Sequence, residues 1–212
     1  MNTFTLPDIS TLPALRHSDC NQILDTLFEP SKHLHSLTES LLLQQKCISY
    51  EALIDLVRAR LISLASSKAP DDRTVLLDIL GSHPRLGEKA SASRSAESEA
   101  SKGQEERPLS EFSKAEQANL SMAGQHGTAQ HLSLLNREYE EKFPGLRYVT
   151  FVNGRGRDMI MEEMRRRIER GDIELEIMET IQAMCDIATD RARKLRDPDA
   201  AYSMTSRTTD GS

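Results

Sequence analysis

The 212-residue chain has no tryptophan, only 4% aromatic residues and 38% hydrophobic residues. So lean a composition implies that part of the chain stays outside the core. Three scattered cysteines, Cys20, Cys47 and Cys185, have no CxxC spacing. They imply neither a disulfide framework nor a zinc site and read as reduced thiols of an intracellular protein. Basic residues are not in excess: 27 Lys and Arg face 33 Asp and Glu, for a net charge of −6. That balance argues against a general binder of nucleic acid or of membrane surfaces. No apolar run approaches the roughly 20 residues of a membrane span. The opening MNTFTLPDISTLPALR has no charged start followed by an apolar stretch, so no secretory signal is expected.

What is present is helical periodicity. Residues 1–17, with Pro7 and Pro13, read as an extended lead-in. Ser18 is placed to cap a helix carrying Ile23, Leu24, Leu27 and Phe28, which Glu29-Pro30 stops. Further stripes follow Ser31 (Leu34, Leu37, Leu41) and Ser49 (Leu53, Leu56, Val57, Leu61, Leu64). Asp71 or Asp72 then opens a helix with Val75, Leu76, Ile79 and Leu80, and Gly81 is expected to be its left-handed end. Residues 88–108 contain no Val, Ile, Leu, Met or aromatic residue and read as a mobile low-complexity insert. Helical pattern resumes near Ser110, and a later helix carries Leu132, Leu135, Tyr139 and Phe143. The segment RYVTFV (147–152) is the single β-like run. Asp158 and Asp172 open the last two helices, and 197–212 reads as a disordered tail. The expected fold is all-α: one multi-helix bundle over 18–196 with one short extended segment at 147–152.

Several residues break these patterns. In the last helix Ile173, Ile177, Ile181, Met184, Ala188 and Leu195 share a stripe whose missing member is Arg191. An arginine in phase with the core either snorkels outward or meets a buried anion. Ser113, Glu116, Gln117 and Leu120 share a helix face, although three of the four are polar, as on a solvated face. In Ser82-His83-Pro84-Arg85-Leu86-Gly87, the proline pushes His83 towards an extended backbone that projects its imidazole away from the chain. That suits a proton-transfer group and equally a surface loop histidine. His33, His35, His126 and His131 give no metal-ligand spacing. The arginines at 155, 157, 165, 166, 167 and 170 interleave with glutamates and lack an aromatic stacking platform, so they read as a solvated helix face.

In order along the chain, LFEPS (27–31), HPRLG (83–87), SKAEQ (113–117) and LNREYEEKFPGLRYVTFVNGRGRD (135–158) form a specific combination. Together with the arginine of the last helix, they resemble the 2-oxo-4-hydroxy-4-carboxy-5-ureidoimidazoline (OHCU) decarboxylases, nearest to the fungal branch. The stretch between His83 and Ser113 is longer than in typical bacterial or animal members, because of the insert.

The resemblance implies a cofactor-independent carboxy-lyase of urate catabolism that needs no metal and yields (S)-allantoin. It implies His83 as proton donor and acceptor and Glu116 as its carboxylate partner, which would raise the histidine's pKa. It further implies that Ser113 and Gln117 bind substrate polar groups and that Pro84 shapes the pocket floor. The backbone of Tyr148, Val149, Thr150, Phe151 and Val152 would hold the ring and ureido groups. Arg191 would face the anionic substrate, with Arg193 and Arg196 as rival counterparts; of the three, only Arg191 is in phase with the apolar stripe.

The implied partner is a small molecule, with a homodimer left open and neither nucleic acid nor membrane expected. The cytosol is the default compartment, because Asp210-Gly211-Ser212 is not the peroxisomal tripeptide; import by another route stays open. The alternative from a different class is an inactive helical interaction module with the same fold.

Overall fold

The computed structural model describes residues 5–44, 47–87 and 126–196. The expected insert 88–108, the helix carrying Ser113, Glu116 and Gln117, and the tail 197–212 lie outside the described residues. The fold is all-α, with no strand among the described residues. A 3-10 helix at Ile9–Ala14 precedes α1 (His17–Phe28), α2 (Lys32–Gln44), α3 (Tyr50–Ser66) and α4 (Pro70–Leu80). After residue 125 come α5 (His126–Lys142), α6 (Arg157–Arg170) and α7 (Ile173–Arg196).

The long α7 is the axis of the bundle, packed along α3 and α1, while α4 closes on α3 and α5 pairs with α6. Its inner stripe is the one the spacing predicts: Ile177, Ile181, Met184, Ala188 and Leu195 are all buried. Burying such side chains contributes roughly 1.5–3 kcal/mol each before the entropy of ordering them is subtracted. Leu24, Leu27 and Phe28 of α1 and Leu53, Val57 and Leu61 of α3 are buried in the same core.

Helix ends follow capping chemistry, with shifts of a residue or two. Ser49 accepts from the Ala52 N–H at 3.1 Å and Asp172 from the Leu175 N–H at 3.0 Å, as expected of N-caps. Ser18, Asp71, Asp72 and Asp158 instead lie within the first turns of their helices, where acidic side chains favour the N-terminal end of the helix dipole. The lead-in differs from an extended strand. Asp8 caps the 3-10 turn, Leu6 and Leu12 are buried, and the Tyr50 hydroxyl donates to the Pro7 carbonyl at 2.9 Å. Two leucines at that spacing suffice to dock the segment.

Gly81 is required for a reason other than the one expected. Its φ is −78°, an ordinary right-handed value, so no left-handed turn is made there. A Cβ at this position would lie 2.9 Å from the Gly145 carbonyl oxygen and 3.1 Å from that of Leu77. Both are backbone atoms with little freedom to retreat, and they bring the end of α4 against the end of α5. Gly81→Ala should therefore lower stability by about 1–3 kcal/mol, read as a shift of the urea midpoint at unchanged m-value.

Candidate functional site

The loop after α4 is fixed from several sides. The Ser82 hydroxyl donates to the Ile79 carbonyl at 2.7 Å, and Asn136 of α5 donates to the Leu86 carbonyl at 3.0 Å. Arg85 forms a two-pronged pair with Glu140 at 2.6 and 2.7 Å. Arg147 reaches back to donate to the His83 carbonyl at 2.9 Å, so the loop and the start of the extended segment are joined.

His83 is not a surface loop histidine: it is 4% exposed. Pro84 sets its backbone, but α5 and the 145–147 turn close over the loop, which spacing along the chain does not reveal. Its Nε2 is buried without a hydrogen-bond partner among the described residues. A buried orphan of this kind points to strain or to a chemical role. Burial pushes its pKa down to about 4; the nearby Glu29 carboxylate opposes this, while Arg191 and Arg147 reinforce it. Desolvation and two guanidinium groups thus outweigh the Glu29 carboxylate, while Glu116, the carboxylate expected to raise this pKa, lies outside the described residues. His83 is a neutral imidazole at neutral pH.

Arg191 is 1% exposed and lies on the inner face of α7, whereas Arg193 and Arg196 are exposed. Snorkelling is excluded by this burial. Among the described residues it meets the Glu29 carboxylate, whose Oε1 lies 2.8 Å from its Nη1. The sequence reading left that place to the substrate alone. Arg191 Nη1 also donates to the Thr26 and Leu27 carbonyls at 3.3 and 3.4 Å, occupying acceptors in the last turn of α1. Glu29 is 1% exposed and has φ 82° and ψ 152°, a region occupied essentially by glycine alone. Such a conformation costs on the order of 1–3 kcal/mol. In the sequence, Glu29-Pro30 reads as a helix stop and as part of the LFEPS motif, with no role for the glutamate side chain. Its one further signal was a charged residue directly after a run of core positions.

The 147–152 run, expected to be extended, belongs to no helix, and no strand pairs with it among the described residues. Tyr148, Val149 and Thr150 are buried, and Phe151 and Val152 are half-buried. Two arginines that the sequence reading placed on a solvated face hold this segment instead. After a turn at Asn153 (φ 40°) and Gly154 (φ 74°), Arg155 folds back to donate to the Thr150 hydroxyl at 2.6 Å and to the Phe151 carbonyl. It is itself held by Glu163 at 2.5 Å. Arg167, 5% exposed, lies over the Tyr148 ring at 4.9 Å and donates to the Val149 carbonyl at 3.4 Å. Glu176, fully buried, pairs with Arg167 at 2.5 Å and with Arg170 at 3.0 Å, and accepts from the Tyr139 hydroxyl.

Carbonyls of the segment are therefore capped by guanidinium groups. Among the described residues, no hydrogen bond is donated by the backbone N–H groups from Tyr148 to Val152. An extended run of open donors is a ready surface for a ligand rich in carbonyl groups.

The structure thus brings together His83, Pro84, Arg147, Glu29 and Arg191, with Tyr148–Val152 following directly on Arg147. Ser113, Glu116 and Gln117 fall outside the described residues. No group of acidic, histidine or cysteine side chains suited to a metal occurs among the described residues. A groove of about 450 Å³ lined by Leu15, His17, Cys20, His35 and Glu39 lies between α1 and α2 and includes none of the expected site residues. His33 and His35 are each engaged by a separate aspartate, Asp78 at 2.9 Å and Asp25 at 2.6 Å. No helix among the described residues is long and apolar enough to cross a membrane.

The neutral state of His83 has a consequence for stability. Below pH 6.5 the unfolded chain takes up a proton on this residue, and the folded chain refuses it until about pH 4. The stabilisation is present above pH 6.5 and is lost as the pH falls towards 4, by at most about 3 kcal/mol. Urea unfolding of the wild type and of His83→Gln at pH 7 and pH 4.5 checks this. The difference between the two proteins should move in favour of the variant at the lower pH.

Compared with known families, residues 13–193 match the family model described as OHCU decarboxylase. No curated protein matches the chain.

Proposed function

Because the chain belongs to the OHCU decarboxylase family of carboxy-lyases in purine catabolism, we propose that it converts 2-oxo-4-hydroxy-4-carboxy-5-ureidoimidazoline to (S)-allantoin. In this reading it is a fungal-type member that acts without a cofactor. The observation that carries the reading is a buried, neutral His83 whose Nε2 has no partner among the described residues, beside the buried pair of Glu29 and Arg191.

The substrate carries a hydroxyl and a carboxylate on one ring carbon, next to a carbon–nitrogen double bond. Cleavage of the bond to the carboxylate carbon releases carbon dioxide and leaves the electron pair on the ring. That pair forms a carbon–carbon double bond as the electrons of the carbon–nitrogen bond move onto nitrogen, which takes up a proton. The resulting enol loses its hydroxyl proton while the neighbouring carbon gains one, giving the ketone. Overall one proton is consumed for each carbon dioxide released.

A neutral imidazole is suited to this second step, since it accepts the hydroxyl proton and returns a proton to carbon from one face. His83 takes that role, and delivery from one face sets the (S) configuration. Arg191 receives the substrate carboxylate. The open N–H groups of Tyr148–Val152 face the ring and ureido carbonyls, Pro84 bounds the pocket, and Ser113, Glu116 and Gln117 complete the polar contacts, with Glu116 orienting the imidazole. Fixed donors of this kind act by orientation and by stabilising developing charge.

The test generates the unstable substrate in situ from urate with the two upstream enzymes and follows optically active allantoin by circular dichroism. His83→Ala should lower kcat by about 10²–10⁴-fold with helical content unchanged. Retention of more than about a tenth of the activity would overturn the assignment.

Arg191→Lys keeps the charge but loses the planar fork, so KM should rise by about tenfold or more. Arg193→Ala and Arg196→Ala should leave both constants near wild type, since these side chains point outward. A damaging Arg193→Ala beside a neutral Arg191→Lys would remove Arg191 from the site.

A further inference from the structure

Glu29 stands out because its position is costly in two independent ways. Its backbone occupies a conformation that glycine would adopt without strain, and its carboxylate is 1% exposed. Hydrogen bonding at the α1 terminus does not depend on this side chain, because Arg191 itself meets the Thr26 and Leu27 carbonyls. What a glutamate adds is a negative charge 2.8 Å from the Arg191 guanidinium and close enough to His83 to act on it.

We infer that Glu29 is a positioning residue that shares the charge of Arg191, so that the substrate carboxylate is received by a partly neutralised arginine and is not over-stabilised before it leaves as carbon dioxide. This rests on the reading that Arg191 receives that carboxylate. An arginine with no resident partner would bind the anionic substrate tightly, but this stabilises the ground state, whose charge at that position disappears during the reaction. With Glu29 in place, two carboxylates compete for one guanidinium. Loss of carbon dioxide relieves that competition as the charge moves into the ring.

The two kinetic constants separate this role from a structural one. In Glu29→Gln the amide oxygen keeps a hydrogen-bond acceptor and both helix carbonyls remain, so Arg191 keeps its place while the shared charge is gone. Both constants should fall, KM by threefold or more and kcat by tenfold or more, in allantoin formation followed by circular dichroism. Glu29→Asp, whose carboxylate is drawn back by one methylene, should shift both constants in the same direction by less. It decides the matter if the glutamine variant does not fold, which thermal melts report. A KM that rises or stays unchanged in a folded variant overturns the inference. A wild-type protein that forms no optically active allantoin overturns the functional reading itself, and an active wild type with unchanged Glu29 variants overturns the inference alone.

Discussion

The buried pair of Glu29 and Arg191 is the constraint on which the arrangement of this molecule turns. It joins the end of α1 to the last turns of α7, and both partners are 1% exposed. Removing water from two charges costs several kcal/mol per ion, and their attraction offsets this only when geometry and further hydrogen bonds are good. Here the guanidinium also meets two helix-terminal carbonyls, which would otherwise lack partners. The pair is a weak source of net stability and a strong source of register. Sliding α7 by one residue along α1 would leave a buried charge unpaired, and α3 packs on the same helix.

A second charged cluster does the corresponding work at the other end of α7. Glu176 gathers Arg167, Arg170 and the Tyr139 hydroxyl, and Arg167 in turn lies against Tyr148 and the Val149 carbonyl. An extended strand without a neighbour loses the ladder that normally satisfies its carbonyls. Arginine side chains supply that satisfaction on behalf of a sheet, at the Val149 and Phe151 carbonyls. The two clusters thus share a principle: buried charge holds backbone that no regular element holds.

Much of the fold was legible because periodicity reports burial directly. The stripe on α7, the core faces of α1 and α3, and the extended nature of 147–152 all follow from the spacing of apolar residues. Arg191 was legible as a break in that spacing. Its partner was not, because nothing in the local sequence of Glu29 says that 162 residues later an arginine will face it. Arg155 and Arg167 were hidden for the opposite reason. They sit among arginines and glutamates that are largely exposed, and alternation of charge describes a solvated face as well as a buried network. The burial of His83 was hidden by its loop, since the groups around it, Glu29, Arg147 and Arg191, come from positions distant in the chain. Gly81 was recognised as necessary, but the reason lies across the fold at the Gly145 carbonyl.

These features converge on the electrostatics of the candidate site. A histidine that must exchange protons with an enol is more useful neutral than charged at the pH where the protein works, and burial delivers that state without a dedicated base. Burial alone would also make the site hostile to an anionic substrate, whose carboxylate must leave water to enter. In the proposed reaction Arg191 would offset that cost, while its charge and that of Arg147 push His83 further towards neutrality. Glu29 opposes the two guanidinium groups at the imidazole and lies 2.8 Å from Arg191, where under the proposed reaction it would also compete with the substrate carboxylate. In the proposed mechanism a single strained residue would thus adjust His83 and Arg191 together. This accounts for a glutamate, rather than a glycine, in that backbone conformation.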